Sequence, residues 1–362
     1  MRFVAIFSVI LFHIFVYIST KLKWPQFQTD PLFQIVSQGH FGVQLFFVIS
    51  GFILSKPFAE AHLFNTQAPP LKKYFLRRLT RLEPPYVINL FILFALIPFV
   101  NGTAIGTLFP RLIASLFYQH NLIYGETSAI NCVAWSLEVE VQFYLLAPML
   151  ACLFKIRGKN LRRGIAIASI FFSALGASYI PLECPRLQLS IFNYLHYFAS
   201  GFLLADFYIL DWSVPSKKRI LWDIGTLAGT LLVVLLLLAG APYSRAANVV
   251  LPFAVVLAYA GVFRGVFISY ILTQPVIPTI GGMCYTIYLY HYAIVSAAGR
   301  VVLKVYSPVW SLRGFFFFAV LIIGAVIVVV CAMLFVFLER PFMRKTWLQN
   351  LFRPASREIA ET

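Results

Sequence analysis

Charge is what this sequence has least of. Only 12% of its 362 residues are Asp, Glu, Lys or Arg, about half the share of an ordinary globular domain. So few charges cannot clothe a soluble fold whose composition is 60% hydrophobic. The same scarcity excludes a disordered chain and a coiled coil. Five cysteines in a chain of this length exclude a small disulfide scaffold. No fixed-period repeat is visible, nor the inverted repeat that many transporters carry. Acidic residues are scarcer than basic ones, 13 against 29, which leaves a formal net charge of +16. In a soluble protein that excess would raise the question of nucleic acid. Here the positive charges sit in short runs between apolar segments, where membrane topology accounts for them. No basic stretch carries a groove-binding motif, and no nucleic-acid partner is expected.

What is present is apolar length. Stretches of about 17 to 25 residues, each able to cross a bilayer, occur at 2–20, 40–58, 84–101, 134–154, 164–181, 190–210, 221–240, 246–263, 280–303 and 313–338. The sequence therefore predicts an all-α integral membrane protein, a bundle of about ten transmembrane helices in a lipid bilayer. Residues 105–119 and 265–278 are apolar but interrupted, the second by Pro275 and Pro278, and read as interfacial or re-entrant pieces. With alternating sides, 20 Lys and Arg fall on one side and 8 on the other, Lys56 being unassigned. The positive-inside rule then puts both termini in the cytoplasm. Residues 1–342 make the membrane domain and 343–362 a short cytoplasmic tail. Residues 3–18 could pass for a signal-peptide core, but Tyr17-Ile18-Ser19-Thr20 is not a small-residue cleavage site, so the first helix is expected to be retained. Arg2 with a single residue before it implies a very short cytoplasmic lead, or a start placed too late. Cys132 and Cys184 both fall on the predicted outer side, where a disulfide is open to them if the fold brings them together.

Ionisable groups inside a membrane are costly and mark function by default. Arg2 and His13 are eleven residues apart, which on a helix returns to within about 20° of the same face, about 16 Å further along. Arg2 is thus expected at the cytoplasmic surface and His13 below it, half-way through the bilayer. A lone His is more often a packing contact, but its alignment with a surface Arg favours function. His291 lies about eleven residues into the ninth span, at similar depth, and is as consistent with packing as with a direct role. His196 reads as packing. In the run Trp135–Tyr144, Glu138 and Glu140 are 200° apart and cannot form one carboxylate pair. Glu140 shares a face with Ser136 and Tyr144, and is the better candidate for a site facing the outer half, where a carboxylate beside a histidine would raise its basicity. Arg77, Arg78 and Arg81 precede the third span; Arg78 and Arg81 share a face if the run is helical. Arginine's planar fork suits phosphate, though charge alone would make this run a topology anchor.

These residues carry a resemblance that covers nearly the whole chain. The sequence is similar to the membrane acyltransferase 3 family. That family's Arg-x10-His matches Arg2 and His13. Its Gly-Val-x-x-Phe-Phe-Val-Ile-Ser-Gly-Phe element matches Gly42 to Phe52. Its Arg-Arg-x-x-Arg-Ile-x-Pro-x-Tyr element matches Arg77, Arg78, Arg81, Pro84 and Tyr86, with Leu82 in place of Ile. Its Trp-Ser-Leu-x-Val-Glu-x-Gln-Phe-Tyr element matches Trp135 to Tyr144 and selects Glu140 over Glu138. Its Ser-Tyr-x-x-Tyr-Leu-x-His element matches Tyr285, Tyr288, Leu289 and His291, with Cys284 in place of Ser, and its closing Glu-x-Pro matches Glu339 and Pro341.

The resemblance implies an enzyme that transfers acetyl or another short acyl group from cytoplasmic acyl-CoA, with no metal, to a hydroxyl of a carbohydrate or other envelope acceptor. It implies a multi-pass protein of a cell membrane, the bacterial inner membrane, in which the first-helix His is essential. Some relatives append an extracytoplasmic hydrolase-like domain; without one, transfer is expected to be completed alone or with separate partners. In this frame Arg2, Arg77, Arg78 and Arg81 would bind the donor's phosphates. A pantetheine arm of the order of the 16 Å rise would reach His13, with Glu140 and His291 as further catalytic candidates. His13 would act as general base or carry the acyl group briefly. The rival is a secondary transporter or exporter, which would also need His and Glu at mid-membrane but is expected to show interrupted helices in corresponding halves. A non-catalytic scaffold has no need of an aligned Arg–His pair.

Overall fold

In lipid a backbone has no water to bond with, so an apolar run pairs its N–H and C=O groups internally by becoming a helix. A computed structural model describes residues 1–23, 29–212, 219–240 and 244–343. Its long helices are α1 (Arg2–Leu22), α2 (Gly42–Leu63), α3 (Leu71–Asn101), α4 (Trp135–Leu150), α5 (Lys159–Ala177), α6 (Leu195–Leu210), α7 (Ile220–Leu238), α8 (Arg245–Arg264), α9 (Cys284–Val302) and α10 (Leu312–Leu334). Short helices fill the connections, among them Ile105–Leu116, Phe267–Leu272 and Val276–Gly282, on the two interrupted apolar stretches. Large apolar side chains stand exposed on the outer faces, Phe99, Phe172, Leu231, Leu321 and Phe337 being each more than half accessible. That surface suits hydrocarbon and not water.

Each of the ten predicted spans carries one of these helices. Only seven helical stretches among the described residues are long and apolar enough to cross a membrane on length and composition. The exceptions are α5, α6 and α9, and each has a reason. Helix α6 is apolar but only 16 residues long, and it packs between α2, α5 and α8. The first turns of α5 carry Lys159, Arg162 and Arg163, which pair with Asp206 and Asp211 around the end of α6. Arg162 and Asp206 are both buried, so part of the charge counted for topology is fastening helices. Helix α9 is interrupted by Tyr and His, which turn inward.

Helix α3 begins thirteen residues before the span expected at Pro84, and Pro84 and Pro85 lie inside it. Arg77, Arg78 and Arg81 therefore ride on helical turns. At the centre, α2 packs against α1, α4 and α6. Two glycines make this possible: a Cβ on Gly42 would collide with the Ala5 carbonyl of α1, and one on Gly51 with the Phe198 carbonyl of α6. Small residues of this kind let membrane helices approach backbone to backbone. Helix α1, which also contacts α9 and α10, is integral to the bundle.

All five cysteines are free, so Cys132 and Cys184 do not pair. Lys217, Lys218, Arg344, Lys345, Arg353 and Arg357, and the 343–362 tail beyond Met343, lie outside the described residues.

Candidate functional site

Arg2 opens α1; Arg78 and Arg81 lie one turn apart on α3. The fold brings these three guanidinium groups to the wall of one cavity of about 110 Å³. Opposite them stand Ser136, Glu140 and Tyr144, the i, i+4, i+8 face of α4 expected from the sequence. Ser50 of α2 and Cys284, Tyr285 and Tyr288 of α9 complete it. Arg77 does not line the cavity: its side chain is exposed, although it stands one turn before Arg81 on α3.

Glu140 is not beside a histidine. Its Oε1 accepts a hydrogen bond from Ser50 Oγ at 2.5 Å, and no histidine lines this cavity. It stands among the arginines rather than with His13, because α4 meets the bundle at the level of Ser50 and Tyr288. Glu138 points away, as its angular offset requires, and accepts from the Asn121 main-chain N–H at 2.8 Å, while Gln142 accepts from the Ile191 N–H.

Tyr288 forms the inner wall. Its hydroxyl donates to the Val133 carbonyl at 2.6 Å and meets Ser136 Oγ at 2.6 Å. Behind its ring, 5.8 Å away, lies His291, and 5.0 Å beyond that lies His13. Tyr288 thus joins the arginine-lined cavity to His291, and His291 in turn contacts His13.

His291 is fully buried. Its Nδ1 lies 2.8 Å from the Tyr288 carbonyl and 3.0 Å from that of Ile287. Both partners are acceptors, so Nδ1 carries the proton and the lone pair of the neutral ring is on Nε2. Nε2 has no hydrogen-bond partner. A buried acceptor left unmet costs about 1–3 kcal/mol, and His291 Nε2 is one of several such atoms among the described residues. His13 is only partly buried and also faces Tyr292, at 5.2 Å. His196 sits elsewhere, in α6, fully buried and with neither nitrogen bonded.

Two asparagines without an obvious sequence signal, and Glu339 of the closing motif, hold α9 in place. Asn131 Nδ2 donates to Asn89 Oδ1 at 2.8 Å, and both asparagines donate to the Leu289 carbonyl, at 3.1 and 3.2 Å. Glu339 reaches back from the turn after α10 to accept from the Thr286 N–H and hydroxyl in the first turn of α9, at 3.1 and 2.5 Å. Backbone N–H groups at a helix start favour such a carboxylate.

A family model described as an acyltransferase domain, Acyl_transf_3, matches residues 1–337. The chain belongs to that family. Among its relatives is the peptidoglycan O-acetyltransferase OatA of Listeria monocytogenes, 26% identical over 87% of this chain and 53% of the relative. The O-acetyltransferase OatA of Staphylococcus aureus is 25% identical over 76% of this chain and 49% of its own length. The chain thus spans about half the length of the curated relatives it matches. No solved structure matches it. Seen in this membership, the scattered motifs converge: Arg2, Ser50, Arg81, Glu140 and Tyr285, each from a different one, meet at one cavity. The two motif histidines meet one ring beyond it.

Proposed function

We propose that the chain is a membrane O-acetyltransferase. It moves acetyl, or another short acyl group, from acyl-CoA to a hydroxyl of an envelope carbohydrate such as the peptidoglycan on which the Listeria relative's name places its activity. The observation that carries this reading is the His13–His291 pair, 5.0 Å apart and one tyrosine ring from a cavity walled by three arginines. The donor enters from the arginine side, taken as cytoplasmic on the 20:8 charge split, with all ten long helices crossing the membrane. Arg78 and Arg81 offer forked donors to its phosphates, joined by Arg2. Its pantetheine arm runs past Tyr288 along α1, bringing the thioester about 16 Å down to His13.

His13 takes the proton from the acceptor hydroxyl as the oxygen attacks the thioester carbonyl. The C–S bond breaks, and the same proton leaves with the CoA thiolate. His291, its Nδ1–H fixed by two carbonyls, offers Nε2 to an N–H of His13 and so orients its neighbour's other nitrogen toward the acceptor. Glu140, held by Ser50, offsets part of the arginine charge and sets those side chains; it is a positioning residue. The direct test is acetyl transfer to envelope glycans, read by mass spectrometry in cells with and without this gene. Loss of a +42 Da modification on deletion, restored by the wild-type chain, is the expected result. An unchanged glycan profile would refute the assignment.

A further inference from the structure

A second cavity adjoins the first. It measures about 340 Å³, and the two share Arg2, Ile49 and Ile53 in their walls. It lies between the start of α1, the middle of α2, Leu204 of α6, the last turns of α8 and the short helix Phe267–Leu272. Phe52 and Phe263 provide two flat walls whose rings are 5.4 Å apart. Phe263 is backed by Tyr208 at 5.2 Å and Trp212 at 5.9 Å, so the ring is held in place. Beside Arg2 and Tyr259, Ser269 and Thr273 bring hydroxyls to a mainly apolar lining. The Thr273 hydroxyl donates to the Ser269 and Tyr270 carbonyls, which leaves its oxygen free to accept from a ligand. No step of acyl transfer uses this space.

We propose that this cavity receives the adenine ring of the donor CoA. The proposal rests on the reading that acyl-CoA is the donor. In CoA the diphosphate joins the pantetheine arm to the adenosine. With that diphosphate on Arg2, Arg78 and Arg81 and the arm directed toward Tyr288, the adenosine leaves on the far side of Arg2, where the second cavity begins. Aromatic walls stack on a base without needing to read it, and a hydroxyl oxygen can accept from its exocyclic amine. A lipid chain would meet the apolar walls equally well, but it has no use for the hydroxyls or for an opening onto three arginines.

The test is equilibrium binding to the full chain purified in detergent, with CoA and 4′-phosphopantetheine as probes. The second lacks the adenosine together with two of the three phosphates. Wild type binds CoA more tightly than 4′-phosphopantetheine, and about tenfold or more of that preference is the share of one stacked base. In Phe263→Ala the preference shrinks by about that factor, through weaker CoA binding with 4′-phosphopantetheine unchanged. Ser269→Trp, which fills the cavity from the short helix without removing an aromatic ring from the bundle, shrinks it likewise. Variants that keep the full preference for CoA, or that weaken both probes by one factor, would overturn the adenine assignment and point to a lipid chain or to packing. Wild type that binds both probes equally would overturn it too, while leaving the donor reading intact. Wild type that binds neither would overturn the donor reading itself, and the adenine site with it.

Discussion

Replacing Asn131 with Ala perturbs one buried cluster in a way the structure makes countable. The side chain donates to Asn89 Oδ1 and to the Leu289 carbonyl, and its Oδ1 accepts from Val133 N–H to cap the turn that leads into α4. Interhelical bonds in membrane proteins are worth about 0.6 kcal/mol each and those in buried soluble cores about 1. The cap adds about 1 kcal/mol. Asn89 is fully buried and would be left with an unmet oxygen, while the Leu289 carbonyl keeps its other partner. The expected loss is about 2–3.5 kcal/mol. It can be read from SDS-induced unfolding of the purified protein in mixed micelles. Asn89→Ala and the double variant complete a thermodynamic cycle, and the pair should couple by at least about 0.5 kcal/mol. Single variants within about 0.5 kcal/mol of wild type, or a coupling of zero, would refute the reasoning that this cluster fixes α9.

Arg81→Ala should weaken CoA binding about tenfold or more in the purified protein, with Arg81→Lys recovering only part because the fork is lost. Arg77→Ala, whose side chain is exposed off the cavity, should leave the same Kd within about twofold, and an equal loss at both positions would return the run to a topology anchor. Gly51→Leu should prevent α2 from closing on α6 at Phe198 and cost about 3 kcal/mol or more; normal detergent stability of that variant would contradict the packing described. Reporter fusions at Lys159 should report cytoplasm and those at Thr127 the outer side, and a cytoplasmic signal at Thr127 would reverse the side from which the donor enters.

The positions of the long helices were legible because bilayer thickness imposes a length on each apolar run. The start of α3 was not, since Pro84-Pro85 looks like a helix beginning and only packing shows the helix running through it. The arginine pair on α3 and the Ser136–Glu140–Tyr144 face were legible from helical spacing alone. The partners across the bundle were not: Ser50 to Glu140, Asn131 to Asn89 and Glu339 to Thr286 join residues 90, 42 and 53 apart, and no periodicity encodes such distances. The expected Glu140–histidine pairing failed for that reason, because depth along α4 depends on where that helix docks. Arg77 was not separable from its neighbours by spacing, since it stands one turn from Arg81 and yet is exposed off the cavity.

The central claim is that His13 moves the proton in acyl transfer, and His13→Gln tests it most directly. The substitution keeps a hydrogen-bonding side chain of similar reach but cannot accept a proton. Insertion follows summed hydropathy and should be unaffected, and CoA binding should persist because Arg2 lies about 16 Å along α1 from His13 and His13 does not line the arginine cavity. Acetyl transfer to envelope glycans should fall by about 10² or more in a folded, CoA-binding variant. Near-normal transfer by that same protein would contradict it.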